Sequence, residues 1–167
     1  GRLSMHPLRR RRGVEWLMRA LIPLLVVALL TAPAVAAQNR SDADAVARMM
    51  AEAGLSVTRL TDRKGDPMLE SQIEGAVFHV NFYDCRPACQ AMQFSAGFDL
   101  DETMPMEMAN LWNRDRRFGR VYLDRTGDPY IEMDIGLAGD GIGRKNFDDA
   151  LETWRILLQD FREFIDW

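Results

Sequence analysis

The sequence predicts a single α+β domain in which helices cover one face of a twisted antiparallel sheet. Three observations carry this prediction: apolar residues recur at helical spacing in three segments, they alternate along two hairpins, and these elements follow the order helix, strands, helix, hairpin, helix. Helices that are segregated from a run of antiparallel strands are typical of this class. The length of 167 residues, with 47% hydrophobic and 28% charged residues, fits one globular domain.

Each of the three predicted helices combines an apolar stripe with a start or stop signal. The first begins at the N-cap residue Ser41 and ends at Gly54, and its stripe comprises Val46, Met49, Met50 and Ala53. The second has Pro105 near its start and Gly119 just past its end, with apolar positions at Met108, Leu111 and Trp112. Its last turns contain Arg114, Arg116 and Arg117. Asn146 caps the third, whose stripe comprises Phe147, Leu151, Trp154, Leu158, Phe161 and Ile165.

Strands are predicted before and after the second helix. Short candidates span residues 55–60 and 68–73, and the first hairpin reads VFHVNFYDC-RPA-CQAMQFSAGF. Its inward residues alternate with outward ones and comprise Phe78, Val80, Phe82, Met92, Phe94, Ala96 and Phe98. The second hairpin reads VYLDRTGDPYIEMDI, with an inward set of Val121, Leu123, Ile131, Met133 and Ile135. On its outer face we expect Arg120, Tyr122 and Asp124 to pair across from Asp134, Glu132 and Tyr130.

Cys85 and Cys89 flank a three-residue turn and predict a disulfide. If the two cysteines face each other, the numbers of paired residues on the flanking strands sum to 174. This register puts two polar pairs on the outer face of the hairpin, Asn81 with Gln93 and His79 with Ser95. A redox-active pair is the alternative interpretation, but the C-x3-C spacing differs from the C-x2-C that opens a helix in thiol oxidoreductases.

Residues 1–37 are predicted to be a signal peptide. Four consecutive arginines precede the uncharged run ALIPLLVVALL, and small residues lead to a cleavage site between Ala37 and Gln38. An uncleaved membrane anchor is the alternative, but the apolar run falls short of the ~18–20 residues that a spanning helix needs. Both interpretations place the predicted single domain, residues 38–167, in the periplasm or outside the cell.

Removal of the signal peptide leaves an acidic domain. That segment holds six of the 21 basic and one of the 25 acidic residues, so 15 basic and 24 acidic groups remain, a net charge of −9. An acidic domain repels nucleic acid and anionic lipid. We therefore expect no nucleic-acid partner, and membrane contact only through an uncleaved signal segment.

Two small clusters suggest chemistry. His79 and Ser95 resemble a base and a nucleophile, with Asn81 and Gln93 as polar helpers, although nothing marks an orienting carboxylate or an oxyanion hole. A Cu(I) site is a second hypothesis, because thioethers are soft ligands, and it rests on Met104, Met106 and Met108. The same methionines also suit a core. We predict a protein that is not an enzyme and that holds no cofactor and no metal.

The segment from residue 112 to residue 120 is basic within this acidic domain. Its arginines suit a carboxylate or a peptide C-terminus, and they equally suit the negative end of the second helix. Exposed aromatic side chains mark binding surfaces, so we predict a protein-binding surface around this helix end. Its candidate residues are Trp112, Arg116, Arg117, Phe118, Tyr122 and Tyr130.

Several motifs resemble the YbjN-domain family of bacterial proteins. They are FYDC, QFSAGF, WNRDRRFGRVYLD, GDPYIEMD and NFDDALETWRILLQDF, and the most specific piece is N-x5-G-R-x-Y-x-D from Asn113 to Asp124. The resemblance implies a fold similar to type III secretion chaperones, in α-β-β-β-α-β-β-α order, to which the strand at 55–60 is additional. It also implies a regulatory role in sensory transduction, with no catalytic residues. The signal peptide and the cysteine pair depart from the cytoplasmic members.

These features predict a non-enzymatic periplasmic binding module, regulatory or chaperone-like, that has a protein partner or forms a homodimer. The alternative from another class is a periplasmic enzyme. It would exchange thiols through Cys85 and Cys89 or hydrolyse a substrate through His79 and Ser95.

Overall fold

The computed structural model describes residues 42–167, and the predicted signal peptide lies outside these residues. The helices are α1 (Ala43–Glu52), α2 (Met106–Asp115) and α3 (Arg144–Ile165). The strands are β1 (Thr58–Thr61), β2 (Pro67–Ile73), β3 (Ala76–Tyr83), β4 (Ala91–Gly97), β5 (Arg120–Leu123) and β6 (Pro129–Gly136). All strand pairs are antiparallel, and the six strands form one sheet in the order β1-β2-β3-β4-β6-β5.

The α+β prediction is confirmed, including the position of the additional strand. β1 occupies Thr58–Thr61, close to the strand predicted at residues 55–60. Four strands therefore precede α2, where the order implied by the family resemblance has three. Because β1 pairs only with β2, it extends the sheet by one short edge strand without changing the order of the others.

The core lies between the sheet and the three helices. The ring of Trp154 on α3 packs on Phe78 and Phe94, with centroids 5.9 and 5.5 Å away. Trp112 on α2 contacts Phe161 edge to face at 5.0 Å, and α1 contributes buried residues to the same cluster. Burial of a large apolar side chain contributes about 1.5–3 kcal/mol. The described helices thus cover one face of the sheet and leave the other open.

The N-terminal ends of two helices differ from the predicted ones. Ser41 was expected to cap α1, but the side chain of Asp42 accepts from the Ala45 N–H and is the N-cap. α3 begins at Arg144 with Gly143 as its N-cap, so the prediction that Asn146 caps this helix is wrong. Gly143 has an extended backbone, and the helix begins three residues earlier than predicted, without a side-chain cap.

The end of α2 is also earlier than predicted. The helix stops at Asp115, and Arg116 is extended, with φ −118° and ψ 150°. Arg116 and Arg117 therefore lie in the connection to β5, and the prediction that they occupy the last helical turns is wrong. Beyond Arg116 the backbone stays non-helical, since Phe118 has a positive φ of 69°, and Gly119 lies against the side chain of Leu157, where a Cβ would come within 2.9 Å.

Candidate functional site

The face of the sheet that points away from the helices, here called the open face, carries the predicted polar residues. The register of β3 and β4 is confirmed, because His79 pairs with Ser95 and Asn81 pairs with Gln93. Three of these residues are partly exposed, whereas Gln93 is only 6% exposed. A solvated polar stripe does not account for a buried amide, and Gln93 needs hydrogen-bond partners.

Hydrogen bonds across three strands satisfy the Gln93 amide. The Tyr83 hydroxyl donates to Gln93 Oε1 at 3.0 Å, and Gln93 Nε2 donates to Asp134 Oδ1 at 2.7 Å. Burial, followed by the negative charges of Glu132 and Asp134, raises the pKa of Tyr83. The amide thus fixes the side chains of β3, β4 and β6 relative to one another.

Glu132 is a buried carboxylate on the open face, with 7% of its surface exposed. Arg120 Nη2 donates to Glu132 Oε2 at 2.6 Å, and the Tyr122 hydroxyl donates to Oε1 at 3.0 Å. Burial, followed by the charge of Glu132, raises the pKa of Tyr122 to about 12. The Tyr122 ring also stacks on Tyr130, with centroids 5.4 Å apart. A buried charge requires such partners, because an unpaired one is strongly destabilising.

These contacts correct the predicted pairing of β5 with β6. Arg120 pairs with Glu132 and Tyr122 with Tyr130, two residues from the predicted register. The cause is the turn, in which the Asp124 N–H donates to the Asp128 carbonyl and the Asp128 N–H donates to Asp124 Oδ1. Asp124 therefore faces Asp128 and does not pair with Tyr130. The predicted outer face of the hairpin is retained, since a shift of two residues preserves the side-chain direction.

The proposed hydrolytic pair has a different arrangement from a catalytic dyad. His79 Nε2 lies 3.1 Å from Glu70 Oε2 on β2, so a carboxylate that the sequence did not mark faces this histidine. Ser95 pairs with His79 across the two strands, and its hydroxyl makes no side-chain hydrogen bond with the described residues. The geometry accounts for His79 as one member of a partly exposed histidine–carboxylate contact across β2 and β3.

A strained turn displays an aromatic ring between α2 and β5. The Gly119 N–H donates to the Arg117 carbonyl at 2.8 Å, which defines a γ-turn centred on Phe118. Phe118 has a φ of +69°, a region that side-chain-bearing residues rarely adopt, and it is 67% exposed. The Arg117 guanidinium lies 4.8 Å from the centroid of this ring. Arg116 and Arg117 form no salt bridge with the described residues.

Trp112 is not part of the exposed surface, and that part of the prediction is wrong. The side chain is 1% exposed and packs edge to face on Phe161 and Phe164. Its Nε1–H donates to the carbonyl of Gly119 at 3.1 Å, so the indole anchors the start of β5. Four of the remaining candidates are exposed and Tyr130 is half-buried, and we call these five residues the basic aromatic surface. It comprises Arg116, Arg117, Phe118, Tyr122 and Tyr130.

Asn113 has a positional role that residue-level reasoning missed. Its Nδ2 donates to the Val121 carbonyl at 2.9 Å, and its Oδ1 accepts from the Val121 N–H at 2.8 Å. The amide thus pairs with the free edge of β5 as a neighbouring strand would, and it closes that edge. The only signal for this role was the place of Asn113 at the start of the motif that carries the family resemblance.

The described residues give no metal site and no membrane-spanning segment. None of their His, Cys, Asp and Glu side chains gather in groups of three or more that suit a metal ion. Met104 is 7% exposed in the core whereas Met106 is 75% exposed, so two of the three methionines of the Cu(I) hypothesis lie in different environments. No helix in residues 42–167 is long and apolar enough to cross a membrane.

Cys85 and Cys89 form the predicted disulfide. It closes the turn between β3 and β4, and Cys89 is 4% exposed. No C-x2-C helix start is present at this position, since both cysteines lie in the connection between two strands.

Comparison with known proteins identifies the family of this chain. A search of curated proteins finds none that matches this chain. A family model, described as "Putative bacterial sensory transduction regulator", matches residues 42–167, which include every helix and strand given above. This match covers well over half of the chain and agrees with the motifs between β3 and α3. The chain therefore belongs to the YbjN family.

Proposed function

We propose that the protein is a non-enzymatic regulatory module of the periplasm that binds a protein partner through the basic aromatic surface. The family description supports a regulatory role and names no reaction. The predicted signal peptide supports the location. The partner in this proposal presents carboxylates, from acidic side chains or a C-terminus, beside an apolar residue.

The conformation of Phe118 is the observation that carries this proposal. An aromatic residue in a γ-turn with φ of +69° is strained by about 1–2 kcal/mol. Packing does not require the ring, because 67% of it is exposed. Strained residues concentrate where function requires a fixed display, and exposed aromatics next to arginines are typical of binding hot spots.

The charge around Phe118 sets the chemistry of the partner. Residues 1–41 hold seven basic and one acidic group, so 14 basic and 24 acidic groups remain in the described domain, a net charge of −10. Arg116 and Arg117 stand out from this background, and each guanidinium lies over an aromatic ring, 5.5 Å from the Trp112 centroid for Arg116 and 4.8 Å from the Phe118 centroid for Arg117. A guanidinium offers paired N–H donors that match the two oxygens of a carboxylate.

Site-specific photocrosslinking tests the surface. A benzophenone amino acid at position 118 should give a covalent adduct in living cells, whereas the same group at Ile156, which is 52% exposed on α3, should not. The adduct should disappear with Arg116→Glu and Arg117→Glu and persist with Arg125→Glu, an exposed arginine in the β5–β6 turn. Its mass distinguishes a second copy of this chain from another protein. Adducts of equal yield at positions 118 and 156 would refute the surface.

Fractionation tests the location separately. Osmotic shock should release the protein with Gln38 as its N-terminus. Recovery of an intact chain with the cytoplasmic fraction would contradict a periplasmic role and leave the surface hypothesis to the crosslinking experiment.

A further inference from the structure

A cavity of about 580 Å³ lies where three separate parts of the domain converge. The start of α1, the β1–β2 hairpin and the disulfide turn between β3 and β4 each contribute lining residues. The volume falls within the ~300–1,000 Å³ of typical small-molecule sites. None of the lining residues belongs to the basic aromatic surface, so this is a separate site, here called the loop cavity.

Much of the lining of the loop cavity is apolar. It includes Leu60 of β1, its cross-strand partner Met68 of β2, and the turn residues Pro87 and Ala88, and both cysteines of the disulfide also line it. Leu60 is 37% exposed although it is a large aliphatic side chain on an edge strand. An apolar group that filled the cavity would remove this surface from water, which contributes roughly 25 cal/mol per Å².

The lining of the cavity also includes three charged residues, Asp42, Asp44 and Arg59. Asp42 is the N-cap of α1, where its side chain accepts from the Ala45 N–H, and the other two form an ion pair. Arg59 Nε donates to Asp44 Oδ1 at 2.9 Å, and the two side chains are 56% and 70% exposed. Among the described residues, the Arg59 terminal amino groups and the second oxygen of Asp44 have no partner. The pair therefore offers donors for an anion and an acceptor for a cation in the same lining.

We propose that the loop cavity binds a short free peptide whose terminal ammonium and carboxylate pair with Asp44 and Arg59, and whose apolar side chain fills the cavity. A ligand with one charge would meet the like charge of the pair as well as the opposite one. A zwitterion satisfies both members, because each terminal group finds a partner of opposite charge. The charge pair and the apolar part of the lining thus select the same class of ligand.

Titration calorimetry with the dipeptide Leu-Leu on the purified chain tests this site. The dipeptide should bind, whereas its N-acetyl form and its C-terminal amide, which each lack one charge, should bind about tenfold more weakly or worse. The blocked forms also represent the C-terminus and the N-terminus of a protein. Tighter binding of either blocked form would assign the cavity to a protein terminus and overturn the proposal. Equal affinities for all three would overturn the role of the charge pair.

Variants localise the binding. Ala88→Trp, which fills the cavity from the disulfide turn, and Arg59→Gln, which removes the anion partner, should each weaken Leu-Leu binding about tenfold or more. Arg63→Gln changes an exposed arginine in the same hairpin that does not line the cavity, and it should bind normally. Circular dichroism and thermal melts confirm that each variant is folded. Unchanged binding by Ala88→Trp, or no binding of Leu-Leu to the unmodified chain, would refute the site. Phe118→Gly should bind Leu-Leu normally, so the test of the loop cavity is independent of the test of the basic aromatic surface.

Discussion

Phe118 combines a backbone conformation that disfavours a side chain with a ring that faces solvent. The sequence predicted an exposed aromatic here, but not the γ-turn, which is defined by the hydrogen bond from the Gly119 N–H to the Arg117 carbonyl. The residue types at these positions do not specify that backbone bond. Strain of this kind is recognised only in the structure, and it separates a displayed residue from a packed one.

Two substitutions of Phe118 separate strain from packing. Phe118→Ala keeps the Cβ and therefore the strain, and we expect a free energy of unfolding within ~0.5 kcal/mol of the unmodified protein because the ring is 67% exposed. Phe118→Gly relieves the positive φ and should be about 1 kcal/mol more stable than the alanine variant. Urea denaturation measures both. A loss of several kcal/mol in the two variants alike would show that the ring is structural.

The charge of Glu132 adds to the effect of burial on the titration of two tyrosines of the open face. The chain contains three tyrosines, and burial together with the charge of Glu132 raises the pKa of Tyr83 and Tyr122, the latter to about 12. Glu132→Gln removes the charge and should lower the phenolate midpoint in an absorbance titration. Because burial is the larger cause, the midpoint should remain above the usual value near 10. Glu107→Gln, an exposed residue of α2, should leave the curve unchanged, and an unchanged curve in the Glu132 variant would contradict the network.

The same pKa shift sets the sign of the alkaline stability change. Since the folded pKa of Tyr122 exceeds its unfolded value, the stability that its protonated form contributes is complete below pH ~10 and is lost as the pH rises toward about 12. Tyr122→Phe should therefore flatten the decline of the unfolding free energy between these two pH values.

At the scale of the elements, the two hairpins show what sequence reasoning can and cannot predict. The β3–β4 register was predicted correctly because the facing cysteines fix which residues pair, while the alternation of Phe78, Val80 and Phe82 fixes only which face they share. The β5–β6 register was off by two because side-chain hydrogen bonds of Asp124 determine the turn. A pattern of period two distinguishes faces, but it does not distinguish registers that differ by two residues.

Asn113 joins α2 to the edge of β5. Asn113→Ala leaves the N–H and the carbonyl of Val121 without their side-chain partner, so we expect a loss of about 1–3 kcal/mol of unfolding free energy. Asn110→Ala, at an exposed position one turn earlier, should stay within ~0.5 kcal/mol. Chemical denaturation of the two variants makes the comparison. Equal stabilities would mean that the edge of β5 does not depend on this amide.

Two glycines at the ends of neighbouring strands provide a matched test of the open face. A Cβ at Gly97 of β4 would lie 2.5 Å from the Tyr130 ring, whereas Gly136 of β6 has open space. Gly97→Ala should destabilise the fold by about 1–3 kcal/mol, since Tyr130 also stacks on Tyr122 and cannot move alone. Gly136→Ala should be nearly neutral in the same thermal melt. If both variants melt like the unmodified protein, the tyrosine pair is free to move.

At the scale of the whole molecule, the distribution of charge separates three regions that the composition averages. The formal charge of −4 combines a strongly basic N-terminal segment with a described domain whose net charge is −10. Within that domain, Arg116 and Arg117 form no salt bridge with a described Asp or Glu, whereas their neighbours Arg114 and Arg120 do. The sequence predicted the first division because the segments are continuous. It located the basic region only as the continuous segment 112–120. Which of these residues are exposed and which, like Trp112, are buried depends on packing that the sequence does not show.

The disulfide, by contrast, should matter little to the stability of the whole. Bonding Cys85 to Cys89 closes a loop of only a few residues, and the chain-entropy estimate for such a loop is at most about 2 kcal/mol. The core of Trp154, Phe78 and Phe94 lies on the helix-covered face and does not depend on that bond. Replacing both cysteines by serine should therefore preserve a single cooperative urea transition, with a loss of about 2 kcal/mol or less. The backbone amides of the β3–β4 ladder should remain protected from hydrogen exchange. Leu-Leu binding should weaken, because the turn that lines the loop cavity is no longer held by the disulfide. Loss of the cooperative transition would instead show that the disulfide, and not the aromatic core, determines whether this domain folds.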